Sequence, residues 1–169
     1  VGTQPIIGTQ INFKHNETIG KLPIFAKTEK GYNNLVKLSS KSFLETKDKD
    51  IPTCSLNDLF DNGNDLIVLS GGLDSLFYKL MKKNKIKDAY LLASMLRNKF
   101  SDSFYLEIQR HNDIDESKLE AFFLDLSEKE SIPLIASQEV FYINQDMHEA
   151  HDALLCIGKK TYVDEINRK

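Results

Sequence analysis

A chain of 169 residues with 41% hydrophobic and 28% charged side chains can bury one sizeable core, and its composition excludes a disordered polymer. The formal net charge of -3 excludes a chain that is basic throughout, the balance a nucleic-acid coat would favour. Basic residues concentrate locally at Lys79, Lys82, Lys83, Lys85 and Lys87, which reads as a solvated helix face.

The chain opens on Val1 rather than Met and runs straight into Pro5-Ile6-Ile7, the start expected of a cleaved chain or a piece of a longer one. Strands are expected over residues 6–13 and 22–26, where apolar and β-branched side chains dominate, and then a helix from Tyr32 to about Leu44. Loop composition fills 46–50 and 61–64, ahead of a strand over 66–70. Leu73, Leu76, Phe77, Leu80 and Met81 recur at the spacing of one buried helical face, as do Ile86, Ala89, Tyr90 and Ala93. A strand over 104–109 and a loop over 110–113 follow. Asp115-Glu116-Ser117 then places acids where they offset exposed N–H groups at a helix start. Leu119, Phe122, Phe123 and Leu126 give that helix its apolar face. Pro133 enters a last strand over 134–140, and a final helix runs from Met147 to Ile157.

This alternation marks an α/β fold of about five strands with interleaved helices, read as one domain from end to end. Strands separated by helices favour parallel pairing. About five are too few to close a barrel of roughly eight, so the chain is a small complete sheet or an arc of a larger barrel. Cys54 and Cys156 stand far apart in no metal-type spacing, which points to a reducing compartment. No apolar run approaches the roughly 20 residues of a membrane span. A soluble, cytoplasmic protein without a membrane partner is expected.

Three motifs invite chemistry. Leu69-Ser70-Gly71-Gly72 lies between a strand and a helix but lacks the Gly-Lys-Ser/Thr ending of a P-loop, so it reads as a tight turn. His148-Glu149-Ala150-His151 resembles a zinc-protease signature, yet Asp152 stands where the second histidine is needed, and a surface helix is the plainer reading. His111, after the strand that carries Glu107, and Glu139, at the end of another, are the weak metal-ligand pair. Two ligands are too few for a hydrolytic centre, which wants about three per metal.

The ordered succession of several segments says more than any one of them. They are Pro5-Ile6-Ile7-Gly8; Phe25-Ala26-Lys27 with Gly31-Tyr32-Asn33-Asn34-Leu35; Leu69-Ser70-Gly71-Gly72; Phe104-Tyr105-Leu106-Glu107-Ile108-Gln109-Arg110-His111; Pro133-Leu134-Ile135-Ala136; and the run from His148 to Ile157. Together they resemble the polymerase-and-histidinol-phosphatase (PHP) domain at the N-terminus of bacterial DNA polymerase III α subunits.

That resemblance implies an incomplete, distorted (β/α) barrel of the PHP type. The family's opening strands, which carry a His-x-His pair and an Asp, precede the part matched here, and its polymerase palm follows residue 169. The chain is thus expected to be a middle slice of one domain. A slice without those strands is expected to expose a sheet edge and to self-associate or be poorly stable.

The family's metal positions, carried over singly, fall on Gln10 in place of Glu, Lys21 in place of His, and Gly72 in place of Cys. His111 matches a ligand, and the closing Asp-x-His reads Glu139-Val140-Phe141. An amide is a weak neutral ligand, glycine and phenylalanine offer none, and a lysine brings charge of the wrong sign. The resemblance therefore implies a vestigial site, with no catalytic residue and no metal expected, in a domain that supports a DNA polymerase. Its partners are then the rest of the α subunit and a proofreading 3′–5′ exonuclease. DNA and the sliding clamp are reached through the parent protein, whose polymerase domain uses Mg2+. The alternative is a metal-dependent phosphoesterase or intrinsic proofreading nuclease with His111 and Glu139 in its metal shell.

Overall fold

Ile11 and Phe13 are buried while Asn12 between them is half-buried and Gln10 and Lys14 beside them are exposed, the period-two pattern that makes residues Gly8–His15 a strand, β1. A two-residue turn carries Asn16 at φ 53, a left-handed conformation that Asn tolerates, and returns the chain as β2, Thr18–Ala26. The structure, a computed structural model, describes residues 2–46 and 51–165. Beyond Thr46, the loop expected over 46–50 lies outside them.

The first helix, α1 (Glu29–Leu44), begins three residues before the periodicity suggests, because the Thr28 hydroxyl accepts a hydrogen bond from the Gly31 N–H at 3.1 Å. Strand β3 (Thr53–Ser55) and helix α2 (Leu56–Asn62) escape sequence reading because each is shorter than the window that reveals a period. Their one signal is Ser55 and Asp58, whose side chains cap each other's backbone N–H groups. Strand β4 (Leu66–Leu69) leads through a turn to α3 (Leu76–Lys82). Leu73 lies in that turn and not on the helix, since the Ser75 N–H bonds the Gly72 carbonyl and Ser75 caps α3. Helix α4 (Ile86–Phe100), strand β5 (Phe104–Ile108) and helix α5 (Ile114–Glu130) follow as the spacing predicts, α5 opening on a capping box of Asp113 and Glu116.

Strand β6 spans Leu134–Ala136, and Pro133 does precede it, its carbonyl accepting from the Leu106 N–H. The strand expected over 134–140 stops there because β5, its ladder partner, ends at Ile108. Glu139 is therefore not at a strand end.

The six strands form one open sheet in the order β3-β1-β2-β4-β5-β6. Pairing is mixed rather than parallel: β1–β2 and β2–β4 are antiparallel, and β1–β3, β4–β5 and β5–β6 are parallel. The hairpin explains the departure, since β1 and β2 follow one another with no helix between to return the chain. An unclosed α/β sheet with interleaved helices matches an incomplete, distorted barrel of the PHP type.

Ladder partners share a face, so the register sorts the side chains. Ile11, Phe13, Leu22, Ile24, Leu66, Val68, Phe104 and Leu106 all point to one side and join the helices in a single core. Phe77 stands at its centre, stacked on Phe104 at 6.3 Å and edge-on to Phe123 at 5.7 Å. Two tyrosine–carboxylate bonds tie α5 to the helices before it: Tyr78 donates to Asp115 at 2.5 Å and Tyr90 to Asp125 at 2.6 Å. Asp115 foremost pushes the Tyr78 hydroxyl up to about 12, so it stays a donor at every physiological pH. Tyr78→Phe should lower the melting temperature by a few degrees without altering the far-UV spectrum, and the Tyr78→Phe/Asp115→Ala cycle, followed by thermal denaturation, should show the two changes to be coupled.

By its internal packing the chain forms two compact units, Val1–Ser137, which holds the sheet, and Gln138–Lys169. In the second, a 3-10 turn (Gln145–Met147) leads into α6 (His148–Lys159). Phe141 stacks on His151 at 5.2 Å, and Tyr142 meets His148 at 6.1 Å and His151 at 5.5 Å. Among the described residues no helix is long and apolar enough to cross a membrane.

Candidate functional site

The sheet face opposite the core carries the polar residues. Gln10 pairs with Pro23, and Asn12 with Lys21, on that side of the β1–β2 hairpin. Leu69 shares it, being buried yet outside the core cluster, and the parallel register continues it to Tyr105 and Glu107 and on to Ile135. Gln109 and Ser137 follow at the same phase just past the ends of β5 and β6.

Here the ends of β4, β5 and β6 bring a polar network together. Ser70, fully buried after β4, accepts from the Glu107 backbone N–H at 2.8 Å. Gln109 Nε2 donates to Glu107 Oε1 at 3.1 Å and to Ser137 Oγ at 3.2 Å, and the Ser137 hydroxyl bonds the same carboxylate oxygen. Glu107 Oε2 is buried with no hydrogen-bond partner among the described residues, in a residue only 6% exposed. Gly72 abuts the network: a Cβ built there would overlap Gln109 Oε1. The Gln109 amide thus fills the ground that a side chain at position 72 would need.

Lys21 borders the same turn from the other side. Its N–H bonds the Asp74 carbonyl at 3.0 Å and its ammonium pairs with the Asp74 carboxylate at 2.9 Å, which holds that carboxyl below the usual range. Pro23, the partner of Gln10, packs against Gly71, whose φ of +78 the turn requires.

His111 stands two residues beyond Gln109 and is claimed by Glu116. The imidazole Nδ1 lies 2.6 Å from Oε1, and the His111 backbone N–H donates to Oε2, also at 2.6 Å. Burial works to raise the Glu116 pKa, but the His111 ring and the N–H groups of His111 and Asp113 outweigh it and leave it below the ordinary value. A carboxyl with a depressed folded pKa adds stability above its unfolded value, about 4.3. That contribution is lost as pH falls through the folded pKa. Glu116→Gln should remove that part of the acid transition, giving a flatter dependence of urea midpoint on pH as the pH falls below about 4.3.

Of the sequence-derived positions, Gln10, Lys21, Gly72 and His111 fall in the first unit, and Lys21, Gly72 and the Glu107–Gln109 segment gather about the β4–α3 turn. Glu139 and Phe141 belong to the second unit, where Phe141 is engaged with His151. Sequence reading named Ser70 only within a turn, Glu116 only within a helix start and Gln109 only within a family segment, and it passed over Ser137 altogether. Glu116 had a signal of its role, the Asp113-x-x-Glu116 capping box; nothing in the sequence shows that the other three meet, because only strand pairing brings them together. Among the described residues no three His, Cys, Asp or Glu side chains gather as metal ligands would.

Comparison with known proteins follows the same lines. The family model described as PHP domain matches residues 1–111. The chain is 34% identical over 169 residues to the DNA polymerase III subunit alpha of Rickettsia bellii, a match covering 99% of the chain and 14% of that protein. The corresponding subunit of Caulobacter vibrioides is 30% identical over 176 residues, covering 99% of the chain and 15% of the relative. That of Borreliella burgdorferi is 31% identical over 178 residues, with the same coverage. The chain thus spans about a seventh of the length of these relatives.

Proposed function

The chain belongs to the PHP domain family, and from that premise we propose that it forms part of the α subunit of a replicative DNA polymerase III. Residues 1–169 then make one slice of a PHP domain whose metal site is degenerate. Its work is architectural: it supports the polymerase and docks the separate 3′–5′ proofreading exonuclease. DNA and the sliding clamp are reached through the parent protein, and Mg2+ serves the polymerase domain rather than this segment. The setting is the cytoplasm.

The observation that carries this reading is the network closed around Glu107. A hydrolytic centre needs about three open ligands per metal and often two metals. Here Gln109 and Ser137 occupy one Glu107 oxygen, Gln109 stands against Gly72, and Lys21 adds a cation held by Asp74. The family resemblance adds the docking role.

The immobilised chain should retain the exonuclease subunit through washing at physiological salt. Retention no better than that of an unrelated domain of equal charge would defeat the docking role. One feature favours the phosphoesterase reading: a carboxylate on His111 Nδ1, with Nε2 left over, is how metal-ligating histidines are often held. Elemental analysis and assays with Mn2+ or Zn2+ on single-stranded DNA and nitrophenyl phosphate separate the two. Metal-dependent turnover abolished by His111→Ala would replace the architectural reading with the hydrolytic one.

A further inference from the structure

Five lysines, at 79, 82, 83, 85 and 87, converge on the turn that joins α3 to α4, so they crown a corner of the fold instead of lining one helix face. Lys79 and Lys82 lie in the last turn of α3, Lys83 caps it, Lys85 caps α4 and Lys87 lies in its first turn. None of the five forms an ion pair among the described residues. The carboxylates that feel Lys79 and Lys82 are already bonded elsewhere, Asp74 to Lys21 and Asp115 to Lys118. Lys83 reaches the Glu17 carbonyl at 3.3 Å and the Thr18 hydroxyl at 3.2 Å, both neutral groups. The run 79–87 holds no carboxylate, and Asp88 follows it in the first turn of α4.

An acidic protein that keeps five unneutralised cations at one corner has a local field opposite in sign to its net charge. We infer that the α3–α4 corner is a docking surface for the phosphate backbone of duplex DNA, an inference that rests on the replication reading above. The partner's class follows from what the corner offers. Lysine meets phosphate as a mobile point charge and reads no base sequence. Single-strand binding needs aromatic faces on which bases stack, but the neighbouring rings of Tyr78 and Tyr90 are half-buried, each beneath a lysine ammonium and bonded to an aspartate.

The test measures binding of the chain to a fluorescent random-sequence duplex by anisotropy across a salt series. The single strand runs beside it, and exonuclease capture is read on the same preparations. Each phosphate neutralised contributes a slope of about -0.9 in log K against log salt. The triple variant Lys82→Ala/Lys85→Ala/Lys87→Ala should weaken duplex binding about tenfold or more at low salt and flatten the slope by nearly three such increments. The triple Lys30→Ala/Lys37→Ala/Lys99→Ala, three exposed lysines elsewhere with the same change in net charge, should stay within about twofold. No salt-dependent duplex binding, tighter binding of the single strand, or equal losses in both triples would each overturn the inference. Exonuclease capture that survives such a result leaves the architectural role standing; loss of capture by the unmodified chain removes the role itself.

Discussion

Phe77→Ala should cost about 3–5 kcal/mol, the range for emptying a fully buried phenylalanine site. Phe77 is wholly inaccessible and is clamped between Phe104 of β5 and Phe123 of α5, with Leu76 and Leu80 of its own short helix buried beside it. Three elements from distant parts of the chain meet on this ring, so little of the void can collapse without moving the sheet against α5. Urea denaturation followed by circular dichroism should show a midpoint lowered by a substantial share of the usual margin of about 5–15 kcal/mol, with the m value nearly unchanged. Leu44→Ala, at the 84% exposed end of α1, should stay within about 0.5 kcal/mol. Similar losses for both variants would mean that the core is not organised around Phe77.

Gly72→Ala should cost about 2 kcal/mol, although it adds a single methyl group. The methyl takes the space of Gln109 Oε1, so the amide must swing away and give up its bonds to Glu107 and Ser137. Glu107, one of whose oxygens is buried with no partner among the described residues, then loses a donor from the other. Burying a charged acceptor without donors is the expensive case for hydrogen bonding. Gln109→Ala removes the same donor by another route, and with it the steric conflict. The Gly72→Ala/Gln109→Ala double variant should therefore be about 1–2 kcal/mol less destabilised than the sum of the singles. Strict additivity would show that Gln109 does not fill the ground beside Gly72, and the account of a closed network would fall with it.

The two predictions differ in how far the sequence alone anticipates them. Phe77 is marked for burial by its spacing with Leu73, Leu76, Leu80 and Met81, and Phe122 and Phe123 by theirs with Leu119 and Leu126. Nothing in the sequence couples Gly72 to Gln109, which lie far apart in the chain and meet only because β4 and β5 are neighbours with parallel register. Leu73 shows the opposite failure. It fits the helical period, yet Ser75 is the better cap, so the turn takes it.

By itself the sequence determined most of the strands, the buried stripes of α3, α4 and α5, and that the side chains at Gln10, Gly72 and Phe141 are ones that coordinate metal weakly or not at all. Each of these is set by residue type or by a period within a few turns of one segment. Only the tertiary structure decided that β2 lies antiparallel between β1 and β4, that β6 stops at Ala136, and that His111 is claimed by Glu116 while Gln109 closes over Glu107. Strand order and register are fixed by hydrogen bonds between distant segments and by which face gains a core, and a local pattern carries no record of either.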